Sequence, residues 1–191
     1  MEFLRLFFFV RDPTNDWVAD GKLTPCFDGD SHTLMSVRLG EPLEKLSMFG
    51  PSENSIEAKK GELRYYSRGI IIDFDDGLTN TYIFIWDNCY FEPKFKPFKG
   101  KFLLKGKPVP LLPGIRENKV VAAFGEPYWR ELCDEEATLY YEFGDIEWQV
   151  DFNSRGTLCS VIVTTPPLLA DETARERAGC GLPWPPPQPR V

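Results

Sequence analysis

The chain has 191 residues, 42% of them hydrophobic and 14% aromatic, with 15 Phe against 3 Met. This composition excludes a disordered, collagen-like or coiled-coil chain, and the length suits one large domain or two small ones with a core that needs no disulfide staples. Twenty-two Lys and Arg against 29 Asp and Glu give a net charge of -7, which argues against nucleic acid as the main partner because phosphate binding needs a basic footprint.

In chain order, residues 1–13 read as an N-terminal strand. The apolar run over residues 3–10 follows an acid, stops at Arg11 and precedes no small-residue cleavage site, so it is read as a buried strand and not as a signal peptide. No stretch approaches the roughly 18 apolar residues of a membrane span, and no membrane partner is expected. Five cysteines (Cys26, Cys89, Cys133, Cys159 and Cys180) lie far apart without a Cys-x-x-Cys pair. Neither a disulfide framework nor a zinc site is indicated, and a reducing cytoplasm is the expected location.

An internal repeat organises the rest of the chain. Residues 17–25 line up with 102–110, and Leu39-Gly40-Glu41-Pro42 with Phe124-Gly125-Glu126-Pro127, both 85 residues apart. Further on, Tyr65-Tyr66 before Gly69 matches Tyr140-Tyr141 before Gly144, and Asp73-Phe74 before Gly77 matches Asp151-Phe152 before Gly156. Asp20-Gly21 and Lys105-Gly106 signal hairpin turns. Apolar spacing predicts short helices over 31–39 and 115–124, with Ser31 and Asn118 as capping candidates and Gly40 and Gly125 closing them ahead of a proline.

Period-two alternation then predicts a meander: Leu139, Tyr141 and Phe143, followed by Ile146, Trp148, Val150 and Phe152, then residues 158–163; in the first copy Ile70, Ile72 and Phe74, then residues 78–86. The expected fold is α+β, two tandem homologous units of hairpin, short helix and antiparallel meander. Unit one covers 14–90, a linker 91–97, and unit two 98–165. Residues 166–191 hold seven of the seventeen prolines and read as a loose or surface-packed tail, with a helical turn over 171–178.

The inventory for catalysis is thin. His32 is the single histidine, so a nucleophile-base pair or a multi-histidine metal site would rest on it alone, and it is read as a first-turn helix residue. Asp73 to Gly77 resembles a calcium loop in part, but the glycine comes one position early and Phe84 stands where the closing glutamate belongs; a hairpin turn fits better. No phosphate-cradling glycine loop is present. No catalytic residue, metal or cofactor is expected.

Charge is distributed unevenly. Residues 131–151 carry eight acids and no base, and residues 94–107 six lysines and no acid. The plain reading of the acids is a solvated sheet face. The functional reading sets Glu142, Glu147 and Asp151 outward beside Tyr140, with Tyr66 and Asp73 from the other copy, as a partner-binding surface for a basic protein. A small-ligand binder or enzyme using a cleft between the copies is the alternative.

The order of a Gly-Lys hairpin, a helix closed by Gly-Glu-Pro, a Tyr-Tyr strand, an aromatic strand ending in Asp-Phe and a last strand after Gly resembles small bacterial immunity proteins of polymorphic-toxin systems. The tandem arrangement is more distantly similar to the β-lactamase inhibitor proteins and the small lipoproteins of outer-membrane assembly. The resemblance implies a noncatalytic binder, immunity-like or inhibitor-like, that occludes a partner protein.

Overall fold

A computed structural model describes residues 11–89, 91–134 and 136–186; the expected strand over 3–10 and the last five residues lie outside them. In chain order the strands are β1 (Cys26–Asp28), β2 (Thr33–Leu34), β3 (Val37–Arg38), β4 (Glu62–Tyr65), β5 (Ile70–Asp75), β6 (Leu78–Ile85), β7 (Lys101–Leu104), β8 (Lys107–Pro108), β9 (Trp129–Cys133), β10 (Glu136–Glu142), β11 (Glu147–Phe152) and β12 (Leu158–Thr164). The helices are α1 (Ser55–Ala58), α2 (Glu117–Phe124) and α3 (Glu172–Arg177), with 3-10 segments at Leu43–Phe49 and Leu168–Ala170. The fold is α+β and mostly sheet.

Seven strands form one antiparallel sheet in the order β4-β5-β6-β12-β11-β10-β9, and five short ones form a second in the order β3-β2-β1-β7-β8. At the centre of the large sheet β6 pairs with β12, Ile83 opposite Ile162. The β5–β6 register shifts between Asp73 and Phe74, and the β11–β12 register shifts between Asp151 and Phe152. Such bulges bend a strand and strengthen its twist. The small sheet is centred on a parallel pair, with Phe27 opposite Phe102.

The alternation along the large sheet decides its front face. Leu63, Tyr65, Ile70, Ile72, Tyr82, Phe84, Leu139, Tyr141, Trp148, Val150, Phe152, Val161 and Val163 join one buried cluster with Phe27, Phe102 and Val120 of the elements packed against them. Trp148 is its hub: Phe27, Phe102, Phe124 and Phe143 place their ring centroids 5.7, 5.6, 5.5 and 4.9 Å away. Its indole N–H donates to His32 Nδ1 at 3.2 Å, so the buried nitrogen is satisfied.

Several expectations are corrected. Residues 17–42 and 102–127 do not share a structure: 102–127 forms the β7–β8 hairpin and α2, whereas 17–25 holds no strand and 31–39 forms the β2–β3 hairpin instead of a helix. Met35 and Ser36 both have positive φ (53° and 66°), as a two-residue hairpin turn requires. The first helical segment comes later, at Leu43–Phe49, where Leu43, Leu46 and Phe49 recur every third residue. That spacing is eclipsed in a 3-10 helix and gives it one buried edge. Gly50, not Gly40, closes it.

His32 accordingly lies in a turn with φ 54°. Ser31 bonds to the Thr33 hydroxyl at 2.9 Å, and Arg116, not Asn118, precedes α2. The 91–97 linker and the tail also pack: Phe91 and Phe95 lie against the large sheet, as do Leu169, Cys180 and Trp184.

Gly29 is packed closely between β7 and Trp148 of the large sheet. Its N–H donates to the Leu103 carbonyl at 2.8 Å, and a Cβ there would stand 2.6 Å from the Trp148 ring tip and 2.9 Å from that carbonyl oxygen. Gly29→Ala is expected to destabilise the protein by about 1–3 kcal/mol, read as a lower urea midpoint at unchanged m-value. Gly21→Ala, with open space around its Cβ, serves as the near-neutral control.

Candidate functional site

The same alternation puts Tyr66, Ile71, Asp73, Ile83 and Ile85 on the back face of the large sheet at one side, and Tyr140, Glu142, Glu147, Asp151 and Ile162 on it at the other. Two covers lie over this face. Phe91 and Phe95, from the segment after β6, pack on Tyr66, Ile71, Ile83 and Ile85; Leu169, Cys180 and Trp184, from the C-terminal segment, pack around Tyr128, Trp129 and Tyr140.

An open cleft of about 360 Å³ remains on this face, lined by Phe91, Glu131, Cys133, Glu136, Thr138, Asp151 and Ile162. Ile162 and Phe91 make its apolar wall. Its carboxylates are set by neighbours on the sheet: Glu131 accepts from the Tyr140 hydroxyl at 2.8 Å, and Asp151 accepts from the Thr138 hydroxyl at 2.9 Å and from the Ser160 hydroxyl. Burial raises the Asp151 carboxyl above the usual range, against those two hydrogen bonds.

Among the described residues no base enters the cleft lining. Arg130, next to Glu131 on β9, alternates to the other side and clasps Glu117 of α2 at 2.8 and 3.1 Å. Strand β9 is a sheet edge, and its Leu132 is 63% exposed. A second cavity, about 610 Å³, lies between residues 109–115 and α2 and is apolar apart from Lys119. It lacks the convergent polar groups that orient a ligand. Among the described residues no group of three His, Cys, Asp or Glu side chains could hold a metal ion, and no helix is long and apolar enough to cross a membrane.

The expected acidic and aromatic surface is therefore corrected in part. Its six residues do share one face, but covers lie over much of that face, and three of the six are buried. Tyr66 is 9% exposed, Tyr140 4% and Glu147 0%. Tyr66 stacks near Phe95 at 4.7 Å and donates to Glu92 at 3.2 Å. Glu147 accepts from the Leu169 amide at 2.9 Å and from the Gln149 side chain. Asp73 lies opposite Glu62, and burial, with the Glu62 charge second, lifts its carboxyl to about 7.

Strands β6 and β12 separate Tyr66 and Asp73 from the other four. Of the six, Asp151 lines the cleft directly and Tyr140 positions Glu131. Glu131 and Glu136 belong to the acidic run that the sequence singles out; Phe91 and Ile162 carry no local signal. Comparison with protein-family models, with curated proteins and with solved structures finds no match to this chain.

Glu142 lies opposite Glu147 on the β10–β11 ladder, and among the described residues neither of its carboxylate oxygens has a hydrogen-bond donor. Burial, with Glu147 beside it, holds its carboxyl well above the usual range. The folded state thus keeps a proton that the unfolded chain has released, so stability falls as pH rises from about 4.5 through the folded-state value. Urea melts at about pH 5 and pH 8 are expected to show this loss in the parent chain. Glu142→Gln should keep more of the stability at pH 8, by on the order of 1–2 kcal/mol. Equal slopes for both proteins would refute the buried pair.

Proposed function

We propose that the protein is a noncatalytic binding module, immunity-like or inhibitor-like, that takes a basic segment of a partner protein into the back-face cleft. The observation that carries this is the lining. Three carboxylates, Glu131, Glu136 and Asp151, stand around an apolar wall of Phe91 and Ile162, with no base among the described lining residues. A lysine or arginine side chain matches that pattern, an aliphatic stem against the wall and a cationic head among the acids. The exposed edge strand β9 beside it gives the partner's backbone a neighbour to align with.

A duplicated architecture supports the family-level reading at a spacing other than 85. Phe27 and Phe102 stand 75 residues apart, as do Gly50 and Gly125; Tyr65 and Tyr141 stand 76 apart, the bulges at Asp73 and Asp151 78, and Ile83 and Ile162 79. Tyr65 donates to the Gly50 carbonyl and Tyr141 to the Gly125 carbonyl, both at 3.0 Å. The drift from 75 to 79 is what short insertions between strands produce. Tandem homologous units, joined at β6 and β12, are thus part of the proposal, as is a cytoplasmic location.

The test uses a fluorescent hexa-arginine peptide, read by anisotropy at about 20 mM and 200 mM salt. Glu131→Gln with Glu136→Gln should weaken binding several-fold more than an equal charge removal at Asp16 and Glu44, and the gap should narrow at high salt. Equal losses from the two pairs would sink the cleft as the binding site. The cleft volume also suits a small organic cation; a thermal shift with free amines but none with the peptide would favour that second reading.

A further inference from the structure

The five cysteines show no pairing pattern in the sequence, yet the fold brings two of them into contact. Cys89 Sγ and Cys159 Sγ are 2.8 Å apart across 70 residues of chain. That is closer than two non-bonded sulfurs pack, and a shift of under an ångström reaches the S–S bond length of about 2.05 Å. We propose that Cys89 and Cys159 are a reversible two-electron redox site, at which a hydroperoxide converts the facing thiols into an intramolecular disulfide.

The contact is held from two sides. The Cys159 carbonyl accepts from the Trp86 and Asp87 amides at 2.7 and 3.1 Å, which pins the chain leaving β6 against β12 just before Cys89. Asn153 is buried and fixed by its own side-chain oxygen, which accepts from the Arg155 and Thr157 amides and from the Thr157 hydroxyl at 3.0, 3.1 and 2.9 Å. Its amide nitrogen is thereby aimed at Asp87 (3.3 Å) and at Cys89 Sγ (3.5 Å).

The two sulfurs differ in the way the chemistry needs. Cys89 is exposed and Cys159 buried. The Cys89 sulfur accepts hydrogen bonds from the Cys159 thiol and from Asn153, so its lone pairs are supported and solvent can reach it. Burial raises the Cys159 thiol and keeps it protonated, with Cys89 the second cause.

In the first step the Cys89 sulfur attacks the outer peroxide oxygen and the O–O bond breaks. The alcohol (water, for hydrogen peroxide) leaves with the thiol proton, and Cys89 becomes a sulfenic acid. In the second, the Cys159 sulfur attacks that sulfur, the S–O bond breaks, and the hydroxyl leaves as water with the Cys159 proton. The two sulfurs lose two electrons and the peroxide gains them; a dithiol reverses the change by exchange. The product staples the segment carrying Phe91, one wall of the cleft, to the middle of the large sheet.

The test treats the reduced full chain with hydrogen peroxide. The expected product is lighter by about 2 Da, from the two thiol hydrogens lost. It titrates three free thiols in place of five and yields a linked Cys89–Cys159 peptide that a dithiol separates. Cys159→Ser should accumulate a dimedone-trapped sulfenic acid on Cys89, and Cys89→Ser, an exposed change, should form no internal link. An unreacted pair, a link through Cys26, Cys133 or Cys180 instead, or Cys89 passing to the sulfinic acid while Cys159 stays reduced would each overturn the proposal.

Discussion

The pairing of β6 with β12 is the constraint on which the rest of the molecule depends. Five residues of each strand lie in register, from Thr81 opposite Thr164 to Ile85 opposite Ser160. Each half of the chain brings a small antiparallel sheet to this seam, β4-β5-β6 from one and β12-β11-β10-β9 from the other. The seam is apolar on its front, where Tyr82, Phe84, Val161 and Val163 point, and mixed on its back, where Ile83, Ile85 and Ile162 stand among Thr81, Ser160 and Thr164. An antiparallel sheet commonly leaves one face wet. Here the remaining elements cover the front and much of the back, leaving the cleft beside Ile162 open.

On the front the cover is aromatic and closely fitted. The parallel β1–β7 pair sets Phe27 and Phe102 side by side, with ring centroids 4.8 Å apart, and both reach Trp148. Asp30 fastens the two hairpins of the small sheet together by accepting from the Lys105 and Gly106 amides at 2.9 and 3.0 Å. The helical segments close on the same sheet through Tyr65 and Tyr141, each burying its ring while its hydroxyl finds the carbonyl of a glycine at a helix end. Every polar atom carried into this layer by those side chains has a partner, so the layer specifies one arrangement of the two sheets.

What is legible in the sequence depends on which forces are periodic. The strands β10 and β11 are legible because alternation over Leu139, Tyr141, Trp148, Val150 and Phe152 is a local property of a sheet with one buried face. The turns at Asp76-Gly77 and Lys105-Gly106 are legible because each carries a glycine where φ is positive, at 76° and 65°. The turn at Met35-Ser36 is not, since neither residue advertises that conformation and tertiary packing imposes it. Gly40-Glu41-Pro42 misleads for a related reason: a left-handed glycine ahead of a proline closes a hairpin-to-loop turn as well as a helix. The carboxylate face reads as a wet one, wrongly, because alternation assigns a side of the sheet and says nothing of what lies over it. The covers come from aperiodic, proline-bearing segments, whose packing no local pattern encodes.

The location of polar residues on the back face has a physical logic of its own. Beneath the covers the sheet presents Ile71, Ile85 and Tyr140 to Phe95 and Leu169. At the opening it presents Thr138 and Asp151, joined to each other and to Ser160 by hydrogen bonds. A packing defect between two covers would be lined by apolar side chains and would gain stability by closing. Covering ionised carboxylates without a counter-ion carries a desolvation cost, which Glu142, beside Glu147, meets by holding a proton. The carboxylates of the cleft are the groups a cation from outside would satisfy.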